Sequence, residues 1–141
     1  MAEYNYIPVQ TVAENENILF LDGGRACRKG YVTHRSGSGV FRLKGSGNGC
    51  SIFRVSFQAN IAVAAGGTVG AISVALQEDG ETLGNAVAVV TPAAVGEFFN
   101  VSLDTFITIP CGCCITVAVE NDSVGTAIDV TNANIIFERV A

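Results

Sequence analysis

Thirteen consecutive residues, Ser51 to Val63 (SIFRVSFQANIAV), constrain the fold more than any other stretch of the chain. Phe53, Val55, Phe57, Ala59, Ile61 and Val63 recur at every second position. Arg54, Ser56, Gln58 and Asn60 fill the gaps, with Ile52 the one large apolar residue among them. Successive side chains of a strand point to opposite faces, so this spacing predicts one long strand with a buried and a wettable side. A second run, Val69 to Gln77, alternates through Ile72, Val74 and Leu76 after the break Ala64-Ala65-Gly66-Gly67-Thr68. The two runs are expected to pair as a long β-hairpin.

The rest of the chain supplies more segments of this kind. Asn17 to Leu21 (NILFL) reads as a short apolar strand closed by a turn at Asp22-Gly23-Gly24. Tyr31 to His34 and Val40 to Leu43 are brief strands separated by Ser36-Gly37-Ser38-Gly39, and Gly45 to Gly49 precedes the long strand. Asp79-Gly80 marks a tight turn. Asn85 to Thr91 (NAVAVVT) is apolar at nearly every position, which predicts burial on both faces and a neighbour beyond the chain's own core. Val95 to Leu103 and Cys113 to Val119 alternate again. In the last strand, Thr126 to Val140, the apolar parity changes between Val130 and Ala133, which calls for a bulge near Asn132 or cover on both sides. No segment carries a sustained helical stripe. Residues 1–12, with Tyr4, Tyr6 and Pro8, suit an N-terminal arm or edge strand, and residues 13–141 a single β-sandwich domain. Short strands at regular intervals, about eight to ten of them, describe an all-β sandwich, jelly roll or barrel.

Charge is scarce and segregated. Charged residues make up 15% of the chain, against about 25% in an ordinary soluble protein. So thin a polar coat predicts that part of the surface is covered by copies of the chain or by a partner. Arg25, Arg28, Lys29, Arg35, Arg42, Lys44 and Arg54 fall in one segment without an acid, and no Lys or Arg follows until after Phe137. The segment Arg25 to Lys44 either faces the acidic remainder or forms a docking patch for an anionic partner. A net charge of −5 argues against nucleic-acid binding. Val55 to Gln77 carries no charge and is long enough to span a bilayer, yet Ser56, Gln58, Asn60 and the central glycines argue against a membrane span. The N-terminal residues have no signal-peptide pattern, so a secretory route is not expected.

Catalytic chemistry finds little support. His34 is the one histidine, no acid lies near it in sequence, and an exposed strand-end position is expected. Glu78, Asp79 and Glu81 crowd one turn and should be solvated, and neither they nor Asn121-Asp122-Ser123 follow calcium-loop spacing. The glycine clusters lead into strands, whereas phosphate loops lead into helices. Cys111, Cys113 and Cys114 form C-G-C-C, far from Cys27 and Cys50, a spacing that fits neither structural zinc nor a redox motif. Buried thiols are the leading reading, with a bridge between Cys27 and Cys50, or from either to the cluster, as the alternative. Neither a metal nor a cofactor is expected.

Phe53 to Ile61 and the Gly-Gly-Thr-Val-Gly after it resemble segments of short structural proteins from phages and prophages of gut bacteria. So do Val90-Thr91-Pro92-Ala93-Ala94-Val95, Ile109 to Cys114 and the ending Val130 to Ala141. More distantly, the strand order resembles the jelly roll of tumour-necrosis-factor and complement-type domains, which are trimers. The resemblance implies an all-β, jelly-roll-like β-sandwich and a non-enzymatic homotrimer of the virion, made in the host cytoplasm, that decorates a capsid or forms part of a fibre. Its partners would be copies of itself and a major capsid or other virion protein. The competing reading is a carbohydrate- or receptor-binding module for a host-surface glycan. Val87, Val89, Phe98, Phe99 and Ile136 are the candidate subunit contacts. Arg25, Arg28, Lys29, Arg35, Arg42 and Lys44 are the candidate docking residues.

Overall fold

The thirteen alternating residues do form one strand. The computed structural model describes residues 1–25 and 30–141, without the side chains of 23–25. In it Phe53, Val55, Phe57, Ala59, Ile61 and Val63 are buried along Ser51–Val63, while Arg54 and Gln58 are exposed. In chain order the strands are β1 (Ala2–Tyr6), β2 (Gln10–Val12), β3 (Leu21–Arg25), β4 (Val32–His34), β5 (Val40–Lys44), β6 (Ser51–Val63), β7 (Ile72–Glu78), β8 (Glu81–Val90), β9 (Phe99–Ile109), β10 (Cys114–Asn121) and β11 (Ile128–Arg139). The described residues contain no helix. Sheet A runs β3-β1-β11-β6-β9, with β2 also on β11, and sheet B runs β4-β5-β10-β7-β8. All pairings are antiparallel. The apolar faces of the two sheets meet in one core.

The expected β6–β7 hairpin is not formed. β6 lies between β11 and β9 in sheet A, and β7 between β10 and β8 in sheet B. Residues 64–71 carry the chain across the sandwich. Alternation specifies that a strand has an apolar face and not which strand lies beside it. Two such faces are both buried when they oppose each other across a core. Gly67 sits at the fold-back, where an added Cβ would meet Val63 Cγ1 at 2.8 Å and the Ala64 carbonyl oxygen at 3.0 Å. The uncharged run is thus split between two sheets. Among the described residues no helix is long and apolar enough to cross a membrane.

Asn17 to Leu21 is not one strand either: only Leu21 belongs to a strand, as the first residue of β3, and Asp22-Gly23-Gly24 lies inside β3 rather than closing a turn. Ile18 and Phe20 are buried and Leu19 is exposed, so the alternation is real. Its backbone partners, however, are scattered. Ile18 N–H donates to Val119 O (2.8 Å) and Phe20 N–H to Ser38 O (3.1 Å), while the Gln10 amide brackets Leu19 through both its N–H and its carbonyl.

β8 faces the core with one side only. It is one of the two edge strands of sheet B; Ala86 is buried, but Val87 and Val89 are 37% and 61% exposed. One face of this apolar strand thus has no cover within the chain. Residues 1–12 supply β1, held between β11 and β3, and β2, which pairs with the first part of β11. Pro8 falls between the two strands, where no ladder needs its missing N–H. Asp79-Gly80 turns β7 into β8 with both residues at positive φ (50° and 84°), the two-residue hairpin geometry that Asp-Gly favours.

The parity change in β11 is a bulge. Its register on β6 shifts between Thr131 and Asn134, and Asn132 is left-handed at φ 54°. The extra residue keeps Ile128 and Val130, then Ala133, Ile135 and Phe137, all on the core side. Asparagine tolerates this conformation and a β-branched residue does not. Asn132→Val should cost about 1–3 kcal/mol and Asn132→Gly much less. Urea denaturation of the two variants checks this, and equal stability would argue against strain at the bulge.

Candidate functional site

Two sheet faces point away from the core, and they differ in chemistry. On the outer face of sheet A, register places the side chains in rows. Asn100, Asn60 and Thr131 form one row, Ser102, Gln58 and Asn134 the next, then Asp104, Ser56 and Ile136, and last Phe106, Arg54 and Glu138. The asparagines bond sideways across three strands. Asn100 Nδ2 donates to Asn60 Oδ1 at 3.1 Å, and Asn60 Nδ2 donates to Asn132 Oδ1 at 3.4 Å. Arg54 grips Asp104 through Nε (3.1 Å) and Nη2 (2.6 Å), and Ser56 Oγ donates to the same carboxylate at 3.1 Å. Between these groups lies a shallow depression of about 290 Å³ lined by Ser56, Gln58, Ser102, Asp104, Asn134 and Ile136, among others. Phe106, 64% exposed, stands beside Arg54.

The Arg54 fork holds the Asp104 carboxyl below the usual carboxylate range, and the same contact raises Arg54. A depressed folded-state pKa contributes stability above the unfolded carboxylate's range and loses it as pH falls through the folded value. Both side chains are about half exposed, so the effect is small. The stability difference between the wild type and Asp104→Asn should shrink as pH drops below the carboxylate range. Urea midpoints measured against pH check this, and a gap that widens on acidification would contradict it.

The candidate subunit contacts do not form one patch on one chain. Val87 and Val89 project from edge strand β8 of sheet B, Phe98 and Phe99 sit where the chain enters β9, and Ile136 is half-buried on the outer face of sheet A. β8 and β9 lie side by side along one flank of the sandwich. That flank and the sheet A face are therefore two different surfaces, as a head-to-tail contact requires. Of the docking residues, Arg42 and Lys44 project from the outer face of β5, and Arg35 is exposed in the β4–β5 turn. Arg28, Lys29 and the side chain of Arg25 lie outside what the structure describes.

His34 is not an exposed strand-end residue. Its side chain is fully buried, stacked on Phe41 at 4.4 Å, and an acid does reach it: Nδ1 lies 2.9 Å from Asp22 Oδ1 and Nε2 lies 2.8 Å from Ser38 O. With its nitrogens engaged and its ring closed off, His34 fastens β4 of one sheet to β3 of the other. It is a structural residue.

The cysteines also depart from expectation. Cys50, Cys111 and Cys113 are exposed and Cys114 half-buried, all as free thiols. They occupy the turns flanking β6 and β10 at one end of the sandwich, where Cys111 Sγ donates to Gly47 O at 3.2 Å. Cys27 lies outside the described residues. Asp79 accepts from Thr116 N–H and Oγ, and Asn121, wholly buried, donates to Val12 O and Thr126 O. Among the described residues no group of three or more His, Cys, Asp or Glu converges as a metal site.

No protein-family model matches the chain, and no curated protein matches its sequence. Solved structures do match its shape. Eiger TNF from S. frugiperda is 11% identical with a TM-score of 0.71, covering 99% of this chain and 92% of that one. The globular domain of the zebrafish complement 1qA protein is 13% identical with a TM-score of 0.62, covering 96% of each chain. At such identities the likeness is one of fold. The chain has the tumour-necrosis-factor and complement-type jelly roll.

Proposed function

We propose that this chain is a non-enzymatic structural protein of a phage virion that assembles as a homotrimer, decorating a capsid or forming part of a fibre. The observation that carries the assembly is the mutual pairing of polar groups on the outer face of sheet A. Covering polar groups is costly when they lose water without gaining partners. Here Asn60, Asn100, Asn132, Ser56, Asp104 and Arg54 already meet part of one another's hydrogen-bonding capacity, so a neighbour can lie over them at reduced cost. The apolar flank with Val87, Val89, Phe98 and Phe99 is the surface that needs cover. A flank-to-face contact repeated by a threefold rotation closes into a ring and leaves no flank unmatched.

The virion assignment rests on the sequence likeness of Phe53 to Ile61, Ile109 to Cys114 and the closing strand to phage structural proteins. The flank uses β8 at one edge of sheet B, which leaves Arg42 and Lys44 on β5, away from that edge, free to meet the shell. Sedimentation equilibrium at micromolar concentration should give three times the monomer mass, and a strict monomer would sink the assembly reading. Co-sedimentation with empty capsids tests decoration. Binding on a glycan array without capsid association would move the function to the receptor-binding class.

A further inference from the structure

We infer that the outer face of sheet B carries a binding site for a compact oxyanion, such as a sulfate or phosphate group, between Arg42 and Lys44. The inference goes beyond the virion reading and does not depend on it, because it concerns β4 and β5, at the edge of sheet B away from the β8 strand of the proposed trimer contact. Arg42 and Lys44 stand two residues apart on the outward side of β5, about 7 Å between their Cα atoms at ordinary strand rise. Register sets Thr33 and Thr116 on either side of Arg42, and Cys114 beside Lys44. Gly30, Thr33, Arg42, Lys44 and Cys114 line a depression of about 250 Å³ that contains no carboxylate. Gly30 leaves its rim open, since nothing lies within 4 Å of where a Cβ would stand.

The lack of neutralisation at this place is informative. Among the described residues neither cation has an ion-pair partner, whereas Arg54 is gripped by Asp104 and Arg139 lies over the Tyr31 ring. The chain has thirteen acids to eight bases, so carboxylates are not in short supply. Thr116, the nearest hydroxyl on β10, is committed to Asp79. Two like charges side by side on a strand repel each other, and an anion between them reverses the sign of that interaction. The guanidinium supplies a planar fork, the ammonium a point charge and Thr33 a hydroxyl, a donor set suited to oxygens arranged around a small centre. Cys114 adds only a weak donor.

Two sources present this chemistry, the free ion and sulfate groups on a polysaccharide. The test titrates the full chain with sodium sulfate at constant ionic strength, then with heparin, following backbone amide shifts. Saturable shifts centred on Thr33, Arg42, Lys44 and Cys114 are expected. Arg42→Ser/Lys44→Ser should weaken binding at least about tenfold, while Arg35→Ser, which removes the same kind of charge from the β4–β5 turn, should leave it unchanged. Heparin binding tighter than sulfate, with the same dependence on the variants, assigns the site to a polymer. Comparable binding per sulfate group assigns it to the free ion. Non-saturating shifts, a double variant that binds normally, or an equal loss in Arg35→Ser would overturn the site. Sedimentation of the same variants reports assembly separately, so failure of the trimer and failure of the site cannot be confused.

Discussion

Replacing Phe41 by alanine is expected to lower stability by about 3–5 kcal/mol, a large share of the roughly 5–15 kcal/mol that holds a domain folded. The ring is fully buried at the point where the two sheets are joined by aromatic contacts. Phe41 belongs to sheet B, yet its centroid lies 4.9 Å from Tyr4 and 4.8 Å from Phe137, both in sheet A. Phe20, on the segment that crosses between sheets, is 5.3 Å away, and His34 stacks at 4.4 Å. Truncation therefore opens a cavity that no single neighbour can fill, and it removes the surface against which the His34 ring is held. Phe41→Leu should recover much of the loss by restoring apolar volume. Urea unfolding followed by circular dichroism measures both variants. A cost below about 1 kcal/mol for alanine, the average of ordinary substitutions, would mean that the cluster is not the centre of the core.

What could be read from the sequence divides along physical lines. Period-two burial is a local property, so β6 is legible residue by residue, and the parity change in β11 locates its bulge because asparagine is a residue that accepts the left-handed conformation. Strand partners are not local. β6 and β7 carry the same pattern whether they lie side by side or face each other, and the crossing at 64–71 is decided by how both apolar faces are buried at once. Phe106 was hidden for a smaller reason: the alternation of Val101 and Leu103 continues through Thr105 to Ile107 and Ile109. Carrying that period past the polar pair Asp104-Thr105 puts Phe106 outside. The exposed thiols could have been inferred from Pro110 and Gly112, since turn signals outweigh the general tendency of cysteine to be buried. Asp22, by contrast, reaches His34 only through the packing of one sheet edge against the other, which no spacing announces.

Ser102→Arg is expected to abolish the trimer, raising its dissociation constant at least about 100-fold, with little effect on the folding of the monomer. Ser102 is exposed in the second of the four rows on the sheet A face, next to Gln58 on β6. An arginine there has solvent on the isolated chain. In a flank-to-face trimer it is pressed against the apolar flank of the next copy, and threefold symmetry repeats the unpaired charge at each contact. Asp104, two residues along β9, already pairs with Arg54, so its single negative charge would be shared between two cations and one positive charge would stay uncompensated. Thr33→Arg, on the outer face of sheet B, is the matched control and should leave the trimer intact. The urea midpoint of Ser102→Arg, taken where the wild type is already dissociated, separates damage to the fold from damage to the contact. If Ser102→Arg sediments as a trimer, the outer face of sheet A is not the surface that the apolar flank meets, and the flank-to-face reading fails.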